Sequence, residues 1–514
     1  MVLGRRLRLV AAVIGSMALV TGGIPAQATH NGDQHRNMNV VSTSPNASIN
    51  TDLAFWGDHA FIGYYRNDAA VGGVRIFDIS NPANPQLVKN VVCDGLQNDP
   101  IVWDRNGNGI ADLMLLAVDR TMESSECGAP RSAQHDDPDG WEGVRIFEMS
   151  DNPANPFATV EQVAAVYTDC GAHTITLWPG EADEGRLLVY VSSYPLRPGP
   201  TCGETRGPAA GRDPLHGVIQ VLEVPLNNPS AAQEIAEPPI NYPNDPDNQI
   251  DWTERGLVAP GVLETAARAC HDISVHVKSG LAAGACAEQG QLWRIDENGI
   301  PDTANPVWVS DDEVTSGGSG DIPGAVDFFH SATFSNDASV VNWIDESFGD
   351  GCPPETEYQP REWNPAGGTH KTGRMFFVRG GSGSFVSEFQ VGDVRPEPGA
   401  YCSAHMGLPI TNTKKDLLVN AWYMGGVDVI NFTKPARLKE IAYYDMAPDG
   451  PLGSDNWSAY SYVGPNFRRG PGVPIYASDG VHNPDSARGL VVFRANIGKF
   501  GNRSVDHLNP QTQE

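Results

Sequence analysis

After its first twenty or so residues this chain has no long apolar run, it shows no convincing amphipathic helical pattern, and it is poor in basic residues. Without a further apolar stretch of about 20 residues, no later segment is expected to cross a bilayer as a helix. Lys and Arg number 35 against 63 Asp and Glu, a formal net charge of −28. Such a surface repels phosphate backbones and anionic lipid, so neither nucleic-acid binding nor membrane insertion is expected. No CxxC pair suggests a thiolate zinc site. There is no Gly-x-Ser-x-Gly elbow, no His-Glu-x-x-His pair and no glycine-rich phosphate loop. Carboxylates are plentiful, but spacing along the chain cannot bring two of them together as a glycosidase pair.

What is present at the start is a processing signal. Arg5, Arg6 and Arg8 precede the apolar run 9–20, and Ala26-Gln27-Ala28 supplies the small residues of a cleavage site. Residues 1–28 therefore read as a secretory signal peptide, and the chain is expected to be secreted and extracellular. The polar stretch 507–514 offers no hydrophobic anchor. Eight cysteines fit an oxidising destination: Cys93, Cys127, Cys170, Cys202, Cys270, Cys286, Cys352 and Cys402. Spacing does not fix their connectivity. Sequential pairing is the expectation, with Cys93 joined to Cys127 and Cys170 to Cys202, because each bridge then stays within one repeat or between neighbours.

The repeats are visible by eye. A Gly followed by a short apolar strand recurs as Gly73-Val74-Arg75-Ile76-Phe77, Gly143-Val144-Arg145-Ile146-Phe147, Gly217-Val218-Ile219-Gln220-Val221 and Gly290-Gln291-Leu292-Trp293. It returns as Gly373-Arg374-Met375-Phe376-Phe377, Gly426-Val427-Asp428-Val429-Ile430 and Gly489-Leu490-Val491-Val492-Phe493. A more apolar strand precedes each copy, and an Asn/Pro turn follows most of them, as in Asn81-Pro82-Ala83-Asn84-Pro85. Strands of about 5 residues separated by turn chemistry have the spacing of four-stranded propeller blades. The expected fold is all-β: residues 29–514 form a single seven-bladed β-propeller, with blades starting near 51, 98, 173, 271, 330, 405 and 457. The last repeat stops after its third strand, whereas 37–44 looks like an outermost strand without a blade. An N-terminal strand is thus expected to close the ring and remove its exposed edges.

Aligning the innermost strands brings one position into register: Thr51, Asn98, His173, His271, His330, His405 and Trp457. Four successive blades carry His there, so His173, His271, His330 and His405 should converge on the central funnel. Three readings are open. Each ring could hydrogen-bond to the next blade, the four could hold a transition metal such as zinc, copper or manganese, or one could act as a general acid or base. A second metal motif is Asp104-Arg105-Asn106-Gly107-Asn108-Gly109-Ile110-Ala111-Asp112. Its alternate oxygen side chains resemble the first half of a calcium loop, with Asp104, Asn106, Asn108 and Asp112 as ligands. The usual twelfth-position Glu is replaced by Leu115, and a plain Asn/Gly turn is the alternative.

The stretches Gly73-Val74-Arg75-Ile76-Phe77 and Gly143-Val144-Arg145-Ile146-Phe147, with Ala421-Trp422-Tyr423-Met424-Gly425-Gly426-Val427-Asp428-Val429-Ile430 and Asn456-Trp457-Ser458-Ala459-Tyr460, resemble the secreted LVIVD-repeat β-propellers of bacteria. The resemblance runs along the whole mature chain and implies fold and export. It implies no activity. The expected function is metal or ligand binding in a His-lined funnel, serving an extracellular ligand, glycan or protein partner. The alternatives are a metal- or His-dependent polysaccharide lyase acting on uronic-acid glycans, or a copper-dependent oxidase. Whether the chain is an enzyme stays open on sequence alone.

Overall fold

A computed structural model describes residues 32–514 except 66–71, 131–139, 169–170, 194–216, 241–248, 251–265, 268–269, 287–288, 311–328, 347–350, 353–372, 392–393, 395–396, 412, 448–452, 468–471, 483–486 and 499–504. The signal-peptide reading falls on 1–28, outside the described residues. The described chain is all-β, with short 3-10 turns such as Ala182–Glu184 and no α-helix. No described helix is long and apolar enough to cross a membrane.

The unit of the fold is an up-and-down antiparallel sheet. Ile49–Trp56, His59–Tyr65, Gly73–Asp78 and Gln86–Val92 make one such group, each strand bonded to the next in sequence. The order recurs with first strands Gln97–Trp103, Thr174–Trp178, Asp272–His276, Phe329–Phe334, Ala404–Pro409 and Asn456–Ser461. These first strands touch one another in turn, and Asn456–Ser461 touches Ile49–Trp56, so they line a common axis. The chain is a β-propeller. Apolar side chains fill the space between adjacent sheets, with Trp293, Trp343 and Trp422 among the largest fully buried groups. The fourth strand of the first group is the wet edge: five of the seven residues of Gln86–Val92 are exposed.

The repeating glycine has a steric cause. Gly73, Gly143, Gly426 and Gly489 lie at or near the start of their strands at φ of 143°, 141°, 79° and 68°, where L side chains are strained. A Cβ there would lie 1.9 to 2.4 Å from the carbonyl oxygens of Val91, Val166, Tyr444 and Ser44 respectively. In each case the oxygen belongs to the fourth strand of the sheet. For Gly489 that strand is Met38–Ser44, which pairs antiparallel with Gly489–Ala495, Val40 opposite Phe493. Gln34–Arg36 pairs in turn with Lys439–Asp445 of the preceding sheet.

Hydroxyls stitch neighbouring sheets at the axis. Thr51 Oγ1 donates to the Gln97 carbonyl at 2.8 Å, Thr174 Oγ1 to His271 at 2.9 Å, and Ser331 Oγ to His405 at 2.9 Å. At the far end of the same strands, residues 507–513 cross beneath the axis. His507 and Leu508 pair with Trp56 and Phe55. The Asn509 amide accepts from Val102 N at 2.8 Å and donates to Val102 O at 2.9 Å. Thr512 Oγ1 reaches Leu177 O at 2.9 Å, and Thr512 and Gln513 run parallel to Val275 and His276. The Gln513 amide accepts from Phe334 N at 2.7 Å and donates to Phe334 O at 2.8 Å. One short segment is thus tied to five first strands at their C-terminal ends.

Cys93 is bonded to Cys127 and Cys270 to Cys286, both sequential pairs. Cys402 is also disulfide-bonded. The expected Cys170–Cys202 bridge lies outside the described residues.

Candidate metal centre

Each His of the register position sits at the mouth-side start of a first strand. His173 and His271 precede Thr174–Trp178 and Asp272–His276, and their backbone N–H groups bond to Ser192 O and Ala285 O at 2.8 Å each. His330 and His405 are the second residues of Phe329–Phe334 and Ala404–Pro409. Their rings form a buried row. Centroids are 4.3 Å apart from His173 to His271, 4.0 Å from His271 to His330, and 4.0 Å from His330 to His405. Tyr423 and Trp457 flank His405 at 4.7 and 4.9 Å. The other register residues serve the backbone: Thr51 as described, and Asn98 by donating to Gly95 O at 2.9 Å.

The four imidazoles are not equivalent. His173 has both nitrogens engaged, Nδ1 with Asp119 Oδ2 at 3.0 Å and Nε2 with the Gln97 amide at 3.0 Å. It forms one wall of the row. His405 Nδ1 donates to Trp457 O at 2.6 Å, which fixes the tautomer and leaves the Nε2 lone pair buried with no hydrogen-bond partner. This is the blade-to-blade bond that a structural His makes, and His405 makes it to the backbone of the neighbouring sheet; beside His173 and His330 the Thr174 and Ser331 hydroxyls make bonds of that kind. His330 makes no hydrogen bond through either nitrogen. Burial drives its pKa well below the usual value, helped by the neighbouring rings of His271, His405 and His173. Burial likewise lowers that of His405 to about 3 against the raising effect of the Trp457 carbonyl. Neutral imidazole is the form that ligates metal.

Two carboxylates join the row that the register did not reveal. Asp272 Oδ1 lies 3.3 Å from His271 Nδ1, and its Oδ2 lies 3.9 Å from His330 Nδ1. Glu346 Oε2 lies 3.9 Å from His330 Nε2, while its Oε1 accepts from the Tyr423 hydroxyl. Burial raises the Glu346 pKa. Two sets of donor atoms, His271 with Asp272 and His330, and His330 with Glu346 and His405, each lie within 4.8 Å of one another. Either set could hold a metal ion.

A hint of Asp272 was available. The position after the register residue reads Asp52, Asp99, Thr174, Asp272, Ser331, Met406 and Ser458, and the three acids all come back to the axis. Asp99 Oδ1 accepts from Asp52 N at 3.0 Å, and Tyr460 donates to Asp52 Oδ1 at 2.7 Å. Burial raises Asp52 to about 7 and Asp99 well above the carboxylate range, with their mutual repulsion adding to the shift of Asp99. Glu346 had no such signal, since it follows a second strand rather than a first.

The loop 104–112 is a stapled turn. Asp104 accepts from the backbone N–H groups of Asn106, Gly107 and Gly109 at 3.1, 2.8 and 2.6 Å. Asn106 and Asn108 donate to Asp151 Oδ2 at 2.5 and 2.7 Å. Both oxygens of Asp112 are held by Arg105, at 2.9 Å by its N–H and 3.1 Å by its guanidinium. The plain turn accounts for each of these bonds, with Arg105 supplying the positive charge beside Asp112.

No protein-family model matches the chain, and no curated protein is similar to it. Solved structures with a similar layout include the Dos1 propeller, 11% identical with 89% of this chain and 81% of that one covered at a TM-score of 0.43. Sqt1 of Chaetomium thermophilum, solved with the N-terminus of ribosomal protein L10, is 11% identical over 87% and 88% at 0.43. A putative 6-phosphogluconolactonase of Bacteroides fragilis is 10% identical over 90% and 97% at 0.39. Likeness this distant assigns no activity, ligand or partner.

Proposed function

We propose that this chain is an exported metal-binding protein: a seven-bladed propeller closed by Met38–Ser44, holding a transition-metal ion among the axial imidazoles and carboxylates. The seven-fold count is supported by the seven first strands that touch in a ring, and the closure by the pairing of Val40 with Phe493. Export is supported by the signal-like 1–28 and the paired cysteines. Kinship with LVIVD-repeat propellers rests on the repeated motifs alone.

The observation that carries the metal reading is the Nε2 lone pair of His405, buried, unpartnered and oriented by its Nδ1 bond to the neighbouring sheet. Buried polar atoms are normally satisfied, so an aimed and orphaned lone pair beside His330 and Glu346 calls for an electrophile. Ligands on packed strands lose little freedom when they bind. The ion is one that suits imidazole with carboxylate: zinc, copper or manganese. The test is elemental analysis of chelator-stripped and reloaded protein. Wild type should retain metal after gel filtration, and His271→Ala/His405→Ala should retain none while keeping its far-ultraviolet spectrum. Wild type that takes up no zinc, copper or manganese refutes the reading.

A further inference from the structure

We infer that the centre is binuclear, with the His330 ring bridging two metal ions, one on each nitrogen. This rests on the metal-binding reading above and extends it to the number and coupling of the ions.

The two donor sets share a single residue, His330. They approach it from opposite sides of the ring: Asp272 Oδ2 lies 3.9 Å from Nδ1, and Glu346 Oε2 lies 3.9 Å from Nε2. A neutral imidazole has one N–H donor and one lone-pair acceptor, so it needs an acceptor on one side and a donor on the other. His330 has a carboxyl group on both, and at 3.9 Å neither is close enough to donate to the ring or to accept from it. An imidazolium would suit two acceptors, but it would make two N–H···O bonds near 2.8 Å, and both separations are too long for any. Neither protonation state fits the ring's surroundings, and both nitrogens are buried with no hydrogen bond.

An ion on each side fits them. Metal bonds of about 2.0 to 2.1 Å to nitrogen and about 2.0 to 2.2 Å to oxygen span up to about 4.3 Å, so 3.9 Å admits a cation between ring nitrogen and carboxylate at a wide angle. One ion then takes Nδ1 of His330, Asp272 and His271. The other takes Nε2 of His330, Glu346 and His405, whose own Nδ1 is already bonded to Trp457 O. His173 stays outside both sets, since Asp119 and Gln97 hold its two nitrogens. Bridging requires the second ring proton to leave: the first ion binds a neutral imidazole, the second displaces the remaining N–H proton to solvent, and the imidazolate that results carries one negative charge between two cations. The carboxylates of Asp272 and Glu346 supply one further negative charge to each ion. Each set also leaves coordination positions for small exogenous ligands, since tetrahedral or larger coordination exceeds the three donors in it.

Copper(II) is the probe, because two cupric ions joined by one imidazolate couple their spins. Stripped full-length mature protein is loaded with copper(II), freed of excess by gel filtration, and measured for copper per chain and for paramagnetic spins by electron paramagnetic resonance. The expected result is two copper ions per chain with a spin count well below the copper count at low temperature. Asp272→Asn and Glu346→Gln should each lower the content to about one copper, now with full spin. Because His330→Ala removes a buried ring and could fail to fold, the wild-type counts decide alone. One copper per chain, or two with full spin, overturns the bridge and leaves single-ion binding standing. No copper, zinc or manganese bound refutes the parent reading and the bridge with it.

Discussion

Replacing Gln513 by Ala tests whether the crossing segment 507–513 holds the axis together. The Gln513 amide stands in for a strand, accepting from Phe334 N at 2.7 Å and from Thr333 Oγ1 at 3.1 Å and donating to Phe334 O at 2.8 Å. Alanine leaves a buried N–H and a buried carbonyl of the fifth first strand without these bonds. Each such group costs about 1 to 3 kcal/mol, so the substitution should cost about 2 to 6 kcal/mol. An unfolding entropy near 2 cal/mol/K per residue over a chain of this size is about 1 kcal/mol/K, which converts the loss to about 2 to 6 °C in Tm. Scanning calorimetry of the metal-free protein reads this directly. Gln513→Glu sharpens it: the ionised carboxylate keeps the acceptor but loses the donor, and protonation restores a donor and an acceptor at the same places. The Glu variant should melt well below wild type at neutral pH and recover toward it on acidification. An alanine variant melting within about 1 °C of wild type would refute the claim that the tail amides carry stability.

Acidification should also stabilise the axial acids. Asp52 has its pKa raised from 3.8 to about 7 chiefly by burial, so the folded chain holds a proton that the unfolded chain releases. Stability is therefore fully present below about pH 4 and is lost as pH rises toward 7; urea titrations of metal-free protein at pH 5 and 7.5 should show a smaller difference for Asp52→Asn than for wild type, and an equal one sinks the account. Cys93→Ser/Cys127→Ser opens a loop with a sequence separation of 34, which corresponds to about 3 to 4 kcal/mol, and an unchanged urea midpoint would show that the bridge adds nothing. Asp104→Ala strips three backbone N–H groups of their acceptor and should cost about 2 to 3 kcal/mol with chelator or with calcium alike, because the turn is held by its own bonds; a loss seen only in calcium would instead favour the calcium reading.

The repeats were legible because their causes are local. The glycines Gly73, Gly143, Gly426 and Gly489 each answer a clash with the fourth strand's carbonyl, and the same constraint recurs where the sheet is built the same way. The His register was legible for the same reason, since a strand position repeats with the strand. What was not legible depends on partners far apart in sequence. The inequality of the four rings comes from Asp119, Gln97 and Trp457, and Glu346 enters from the end of a second strand. The segment 507–514 is polar in sequence, yet Asn509, Gln511 and Gln513 are buried. Polar composition implies exposure only when no backbone offers itself as partner, and the ends of five first strands do.

Met38–Ser44 completes a sheet whose other strands lie more than four hundred residues away. Contacts this distant form late, because the whole ring must be nearly in place before the two meet. Until then Gly489–Ala495 presents an open edge of unpaired N–H and C=O groups. The strand that fits this edge is carried by every copy of the chain, and the geometry is the same whichever copy supplies it. Refolding at high concentration therefore favours an exchange in which the leading strand of one molecule finishes the last sheet of another. The product is a linked dimer with every native pairing and two intact axial sites, and dilution before refolding is the way to avoid it.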